Sequence, residues 1–276
     1  MPPVAKSLAF CLGILALACG DGEPGDLSLV PPTGGNILGG GKRLHQVNDR
    51  AADHPPDGTV VNVTGVSMIA IDVFDETADG ASAGNLYAQD LPVGGATPPY
   101  GGITLFNSSF SPPTLRVAPG DVVDIRGTYD EFEGPSSSPF NCADPQDPES
   151  CESLPEIVGG TLKLRFEYSV PEPVVIPLAE LASYETGRKW IGMLVRVENV
   201  KAQSAGFKAN TGRYSVRLDT PTSDPKTLPT INNALLDLEG TQLPFDQDTT
   251  YKSVTGVVQY FYNFAISPRT KDDIQL

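Results

Sequence analysis

Gly120-Asp121-Val122-Val123-Asp124-Ile125-Arg126-Gly127-Thr128-Tyr129 reads as a β-strand. Val123, Ile125 and Tyr129 fall on one side, with Asp124, Arg126 and Thr128 on the other. This period of two is that of a half-buried strand. Gly127 interrupts the run, and a glycine inside a strand marks a bulge or a barrel corner. The stretch Ser253-Val254-Thr255-Gly256-Val257-Val258 has the same form.

Working outward, the chain is a series of short runs rich in Val, Ile, Thr and aromatics, divided by Gly, Pro, Asn and Asp clusters. Such spacing predicts an all-β protein. Val61 and Val63 alternate with Asn62 and Thr64. Leu162, Leu164 and Phe166 alternate with Lys163, Arg165 and Glu167. Ile191, Met193, Val195 and Val197 alternate with Leu194, Arg196 and Glu198. Tyr214, Val216 and Leu218 face inward if Arg213, Ser215 and Arg217 face water. Only Leu178–Tyr184 and Asn233–Leu238 suggest short helices or turns.

The two halves share a plan. Each opens with a strand broken by a glycine, Gly65 in one and Gly192 in the other. Each continues with a polar-aromatic strand around Tyr87 or Tyr214, then a glycine-centred strand, then a short closing strand. Two tandem five-stranded barrels are expected, at residues 59–180 and 181–276. Gly192-Met193-Leu194-Val195-Arg196-Val197, preceded by Tyr184-Glu185, resembles the start of an OB-fold module of secreted bacterial nucleases. The run from Gly120 to Phe132 resembles the fourth strand of such modules. Tyr87-Ala88-Gln89-Asp90 with Gly102-Ile103-Thr104-Leu105-Phe106 resembles their second and third strands. Tyr262-Asn263-Phe264-Ala265-Ile266 resembles their last strand. The resemblance implies two tandem OB-like barrels. In that family such modules precede a catalytic endonuclease domain, and the present sequence stops at Leu276 after the second module.

Charge separates the halves. Residues 59–180 hold 4 basic and 18 acidic residues, whereas 181–276 hold 11 and 10. A strongly acidic surface repels nucleic acid at long range. The exception is residues 188–226, with eight basic residues against three acidic ones. On the OB-like reading they cover the first three strands of barrel 2, and strands 2–3 are the usual ligand face. Arg196, Phe207, Lys208, Arg213 and Arg217 are therefore the candidate ligand-binding residues, with Phe207 placed to stack a base or a sugar. The plainer reading is a solvated charged face.

The N-terminus carries its own message. Lys6 precedes the apolar run Leu8–Ala18, and Leu15-Ala16-Leu17-Ala18-Cys19 closes the segment. That run is too short for a membrane span, which needs roughly 20 residues, and fits the apolar core of a signal peptide. The order resembles the lipobox of bacterial lipoproteins. It implies a signal peptide at residues 1–18, lipidation of Cys19 and a membrane partner reached through the lipid. Gly20 rather than Asp follows the cysteine, which favours the outer over the inner membrane. Residues 19–58, rich in Gly, Pro and Asp and holding both histidines, are expected to form a flexible tether.

Export places Cys142 and Cys151 in an oxidising compartment, so a disulfide between them is the default. The acidic stretch Asp144–Glu149 within their loop could bind calcium. A solvated loop is the favoured reading, since two prolines and alternating spacing give no recognisable calcium loop. The region after residue 58 has no histidine, nucleophile elbow, phosphate loop or zinc-protease motif. No enzyme activity, cofactor or metal is expected. The leading expectation is a non-enzymatic, lipid-anchored binding or scaffold protein of the cell envelope, whose partner is an envelope protein or a polymer. The alternatives are a nucleic-acid-binding lipoprotein acting through barrel 2, and a degenerate relative of a secreted nuclease.

Overall fold

The structure is a computed structural model that describes residues 41–51, 54–92, 95–144, 150–209, 212–221 and 227–276. The signal peptide, Cys19, the tether up to residue 40 and most of the acidic loop lie outside the described residues, as do Asp224 and Lys226.

The protein is all-β, with two sheets. The first contains β1 (Val60–Ile71), β2 (Leu86–Asp90), β3 (Gly102–Phe106), β4 (Ser109–Phe110), β5 (Asp121–Phe132) and β6 (Leu154–Glu167), in the order β3-β2-β1-β5-β6-β4. The second contains β7 (Val174–Val175), β8 (Leu194–Lys201), β9 (Phe207–Lys208), β10 (Tyr214–Arg217), β11 (Thr230–Asn232), β12 (Thr250–Tyr260), β13 (Phe264–Ser267) and β14 (Ile274–Gln275). Its order is β7-β8-β12-β13-β11-β10-β9, with β14 on β12.

The sheets share a pairing pattern. In the first, β1–β2, β2–β3, β1–β5 and β5–β6 are antiparallel and β3–β6 is parallel. In the second, β10–β11, β8–β12 and β12–β13 are antiparallel and β11–β13 is parallel. The β3–β6 contact spans three residue pairs. Between β8 and β10 the link is the bridge from Ala202 to Leu218. These short seams make each sheet strongly curled rather than a uniformly closed barrel, so the expectation of two complete five-stranded barrels is corrected to that extent.

The expected faces are largely present. Val123, Ile125 and Tyr129 are fully buried in the first core, and Met193, Val195 and Val197 in the second. Gly65 takes φ +68° where β1 slips register between Val63 and Val66. The buried Asp124 carboxylate accepts the Gly65 N–H at 3.0 Å and so pins the bulge. Gly192 acts otherwise than expected: it lies just before β8, not within it. A Cβ on Gly102 would stand 2.4 Å from the Gly192 carbonyl carbon. The two halves touch backbone to backbone at this point. The helical segments near Leu178–Tyr184 form a turn at Leu178–Leu181 and α2 (Tyr184–Gly187), after α1 (Leu44–Asn48) at the start of the described chain. Asn233–Leu238 is not helical; a single 3-10 turn follows at Glu239–Thr241.

Two findings revise the domain plan. First, part of the expected tether is folded. In α1, Leu44 and Val47 are fully buried against the first sheet. The Leu44 and His45 N–H groups, left over at the helix start, donate to the Asp90 carboxylate at 2.9 and 3.1 Å. An acceptor from a distant strand thus caps the helix, a role usually filled by a local Ser or Asp. Second, the cores are shared. Phe140, Phe132 and Leu154 from the first half pack in the second core. Ile69, Ala70 and Tyr87 meet Leu194, Leu235 and Val257 in a third cluster between the sheets. Leu194, expected on an outer face, is buried for that reason.

Cys142 and Cys151 form a disulfide, as expected. Among the described residues no helix is long and apolar enough to cross a membrane.

Candidate functional site

The sequence-predicted basic residues do not assemble into one surface. Lys208 pairs with Glu239 at 2.8 Å. Arg213 reaches across to Glu76 of the first half at 2.7 Å. Arg217 lies over the Phe207 ring at 4.7 Å. Arg196 donates to Thr255 at 3.2 Å, in a separate polar hollow it shares with Glu198, Lys252 and Asp273. Each charge that is contiguous in sequence has its own partner in space. Of the five candidates, Arg213 alone lines a cleft to which both halves contribute.

That cleft is a groove of about 560 Å³ between the two sheets. The first half supplies Tyr87 from β2, Thr104 and Phe106 from β3, Glu156 from β6, and Asp72, Glu76 and Asn85 from the segment between β1 and β2. Arg213 precedes β10, and the second half further supplies Ser215 from β10, Thr230 and Asn232 from β11, and Gln259 and Phe261 from β12 and its turn. Strands 2 and 3 of both halves therefore face one space.

A chain of side-chain hydrogen bonds crosses the groove. Ser267 donates to Asn232 at 2.6 Å, Asn232 to Gln259 at 3.2 Å, and Gln259 to the Tyr87 hydroxyl oxygen at 2.6 Å. The walls beyond it are aromatic. Phe106 and Phe261 remain 41% and 47% exposed, leaving apolar surface without cover.

The acidic groups are the unusual feature. Asp72 is 5% exposed, and its Oδ1 has no hydrogen-bond partner among the described residues. Nor has Asn85 Oδ1. Burial raises the Asp72 carboxyl to about 6, helped by Glu76 and opposed by the Phe74 and Ala83 backbone N–H groups and by Arg213. Burial raises Glu156 to about 7, with Asp130 adding repulsion. Burial also pushes the Tyr87 phenol up. Perturbed carboxyls gathered in a cleft mark a candidate functional site.

The groove residues other than Arg213 were missed because nothing local singles them out. Asp72 and Asn85 sit thirteen residues apart beside turns, and Glu156 lies in an ordinary strand. The backbone hydrogen bond from the Asp72 N–H to the Asn85 carbonyl brings these two together, the parallel β3–β6 pairing places Glu156, and the second half supplies the opposite wall. Among the described residues no group of three or more His, Cys, Asp or Glu is arranged to hold a metal. No family model, no curated protein and no solved structure matches this chain.

Proposed function

We propose that this is a lipid-anchored, non-enzymatic binding protein of the cell envelope, built from two OB-like sheets that present one shared ligand groove. The observation that carries the reading is the groove itself. Strands β2 and β3 of the first sheet and β10 and β11 of the second line it together. Those are the strands with which OB folds meet their ligands. The OB-like reading is supported by the parallel pairing of third and last strands in both halves. Anchoring rests on the lipobox order at Leu15–Cys19 and favours the outer membrane.

The nucleic-acid reading is weaker on these grounds. Polyanion binding gains from each basic side chain that displaces a counterion. Lys208 and Arg213 are neutralised by Glu239 and Glu76, and the groove adds carboxylates.

Two measurements test the proposal. Cys19→Ala should move the protein from the membrane fraction to the soluble fraction; a variant that stays membrane-bound overturns the anchor. A photo-crosslinking residue placed at 106 in the native envelope should capture a defined product. The same residue at 175, exposed but remote from the groove lining, should not. Equal capture from both positions would remove the groove from its role.

A further inference from the structure

We propose that the groove binds a primary ammonium group, that of a lysine side chain carried on an extended peptide segment. The inference rests on the groove being the binding site and names the chemistry that it recognises.

Two buried acceptors, Asp72 Oδ1 and Asn85 Oδ1, are left without partners. A buried acceptor without a partner costs the full desolvation of that atom. An ammonium carries three donors and no acceptor, the complement of a site left with bare acceptors. Three carboxylates line the groove, those of Asp72, Glu76 and Glu156, against one guanidinium. That guanidinium, on Arg213, is already engaged by Glu76. A cation therefore relieves repulsion that a neutral sugar would leave in place. Phe106 and Phe261 extend the walls with exposed apolar surface. A peptide can cover them with the residues flanking its lysine, whereas a polyamine has nothing to place there.

The acid side of the chemistry gives a second readout. Asp72 is faced by Glu76, Tyr87 and Arg213, and Glu156 by Asp130 of β5 and Thr104 of β3. Both carboxyls sit high, near 6 and 7. Below those values they are protonated and lose their pull on a cation. Affinity should therefore fall as pH is lowered from 8 to 5.5, and binding near pH 6.5 should release protons.

The test is calorimetric titration of the chain from Gly20 to Leu276. The probes are a capped pentapeptide with a central lysine between leucines, the same peptide acetylated at the lysine, spermidine, and a neutral glucose oligosaccharide. The lysine peptide should bind at pH 8. Acetylation, or the double change Asp72→Asn with Glu156→Gln, should weaken it at least tenfold. A circular-dichroism melt shows whether the double variant stays folded, and the acetylated peptide on unchanged protein gives an answer independent of that. Binding indifferent to acetylation, preference for the oligosaccharide, or no binding of any probe overturns the inference. Binding of spermidine alone keeps the ammonium and overturns the peptide. Crosslinks from position 106 combined with a failed titration would leave the groove in place and reject only this ligand class.

Discussion

Arg188→Met should destabilise the protein by about 3–5 kcal/mol, the usual cost of removing one partner from a buried ion pair. Arg188 is 6% exposed and lies between the two halves. Its guanidinium donates to the Glu131 carboxylate at 2.6 Å and to the Asn48 carbonyl at 2.8 Å. Glu131 also accepts from the Tyr129 and Ser153 hydroxyls and from Arg50. Without Arg188, a buried carboxylate keeps only one, more exposed cation. For a chain of this length each kcal/mol shifts the melting temperature by roughly 2–4 °C, so a drop of about 10 °C is expected. Pairing Arg188→Met with Glu131→Leu should recover part of the loss, because an apolar pair leaves no buried charge. A single variant that melts within a degree of the parent would refute this account.

The same cluster has a pH signature. Burial pushes the Glu131 carboxyl up, but Arg188, Arg50 and the two hydroxyls outweigh it and hold it below the usual glutamate value of 4.5. A group lowered in the folded state stabilises above its unfolded pKa and loses that contribution as pH falls through its folded one. Asp72 and Glu156 run the opposite way. Raised in the folded state, they favour folding while protonated, and that contribution fades as pH rises through about 6 and about 7. Glu131→Gln should therefore flatten the acid limb of a stability–pH curve, and Glu156→Gln the limb near neutrality.

The second large effect concerns the halves. The isolated segment 181–276 should remain unfolded, while the whole chain melts in one transition. Its core includes Phe140 and Ile176, with Phe132 and Leu154 packed against it, all from residues before 181. Burying a large apolar side chain is worth about 1.5–3 kcal/mol. Losing four removes on the order of 6–12 kcal/mol, comparable with the whole stability of a typical domain, 5–15 kcal/mol. The fresh surface would include Leu194 and Val257, now covered by Ile69 and Tyr87. Thermal melts followed by far-ultraviolet circular dichroism decide the matter. A sigmoidal transition in the fragment would show that the halves stand alone.

The difference between those expectations and the fold has a physical pattern. Period-two alternation reports which face of a strand is dry, so Val123, Ile125, Tyr129, Met193 and Val195 were legible. The Cys142–Cys151 bond followed from pairing the two remaining thiols. Alternation does not say what makes a face dry, and Leu194 owes its burial to the other half. The helix at 44–48 left no trace, because five residues in a glycine-rich stretch hold their shape only through Leu44, Val47 and an aspartate 46 residues away. The basic run at 188–226 looked like a surface patch because sequence cannot display Glu76 beside Arg213. The groove was invisible for a related reason: its carboxylates all belong to the first half, but the wall that faces them, with Arg213, comes from the second.

The contact of Gly102 with Gly192 bears on how that groove selects. At this point the two halves meet as bare backbone, with no side chain between them to slide or compress. Sliding of one half past the other at this contact would bring carbonyl and amide groups into collision, which fixes the spacing of the halves there. For the ligand site proposed above, a set spacing would act as a gauge: an extended strand of the right cross-section would enter, and a bulkier one would be refused whatever its charge. It also loses little conformational freedom when filled, so a larger share of each contact survives as affinity.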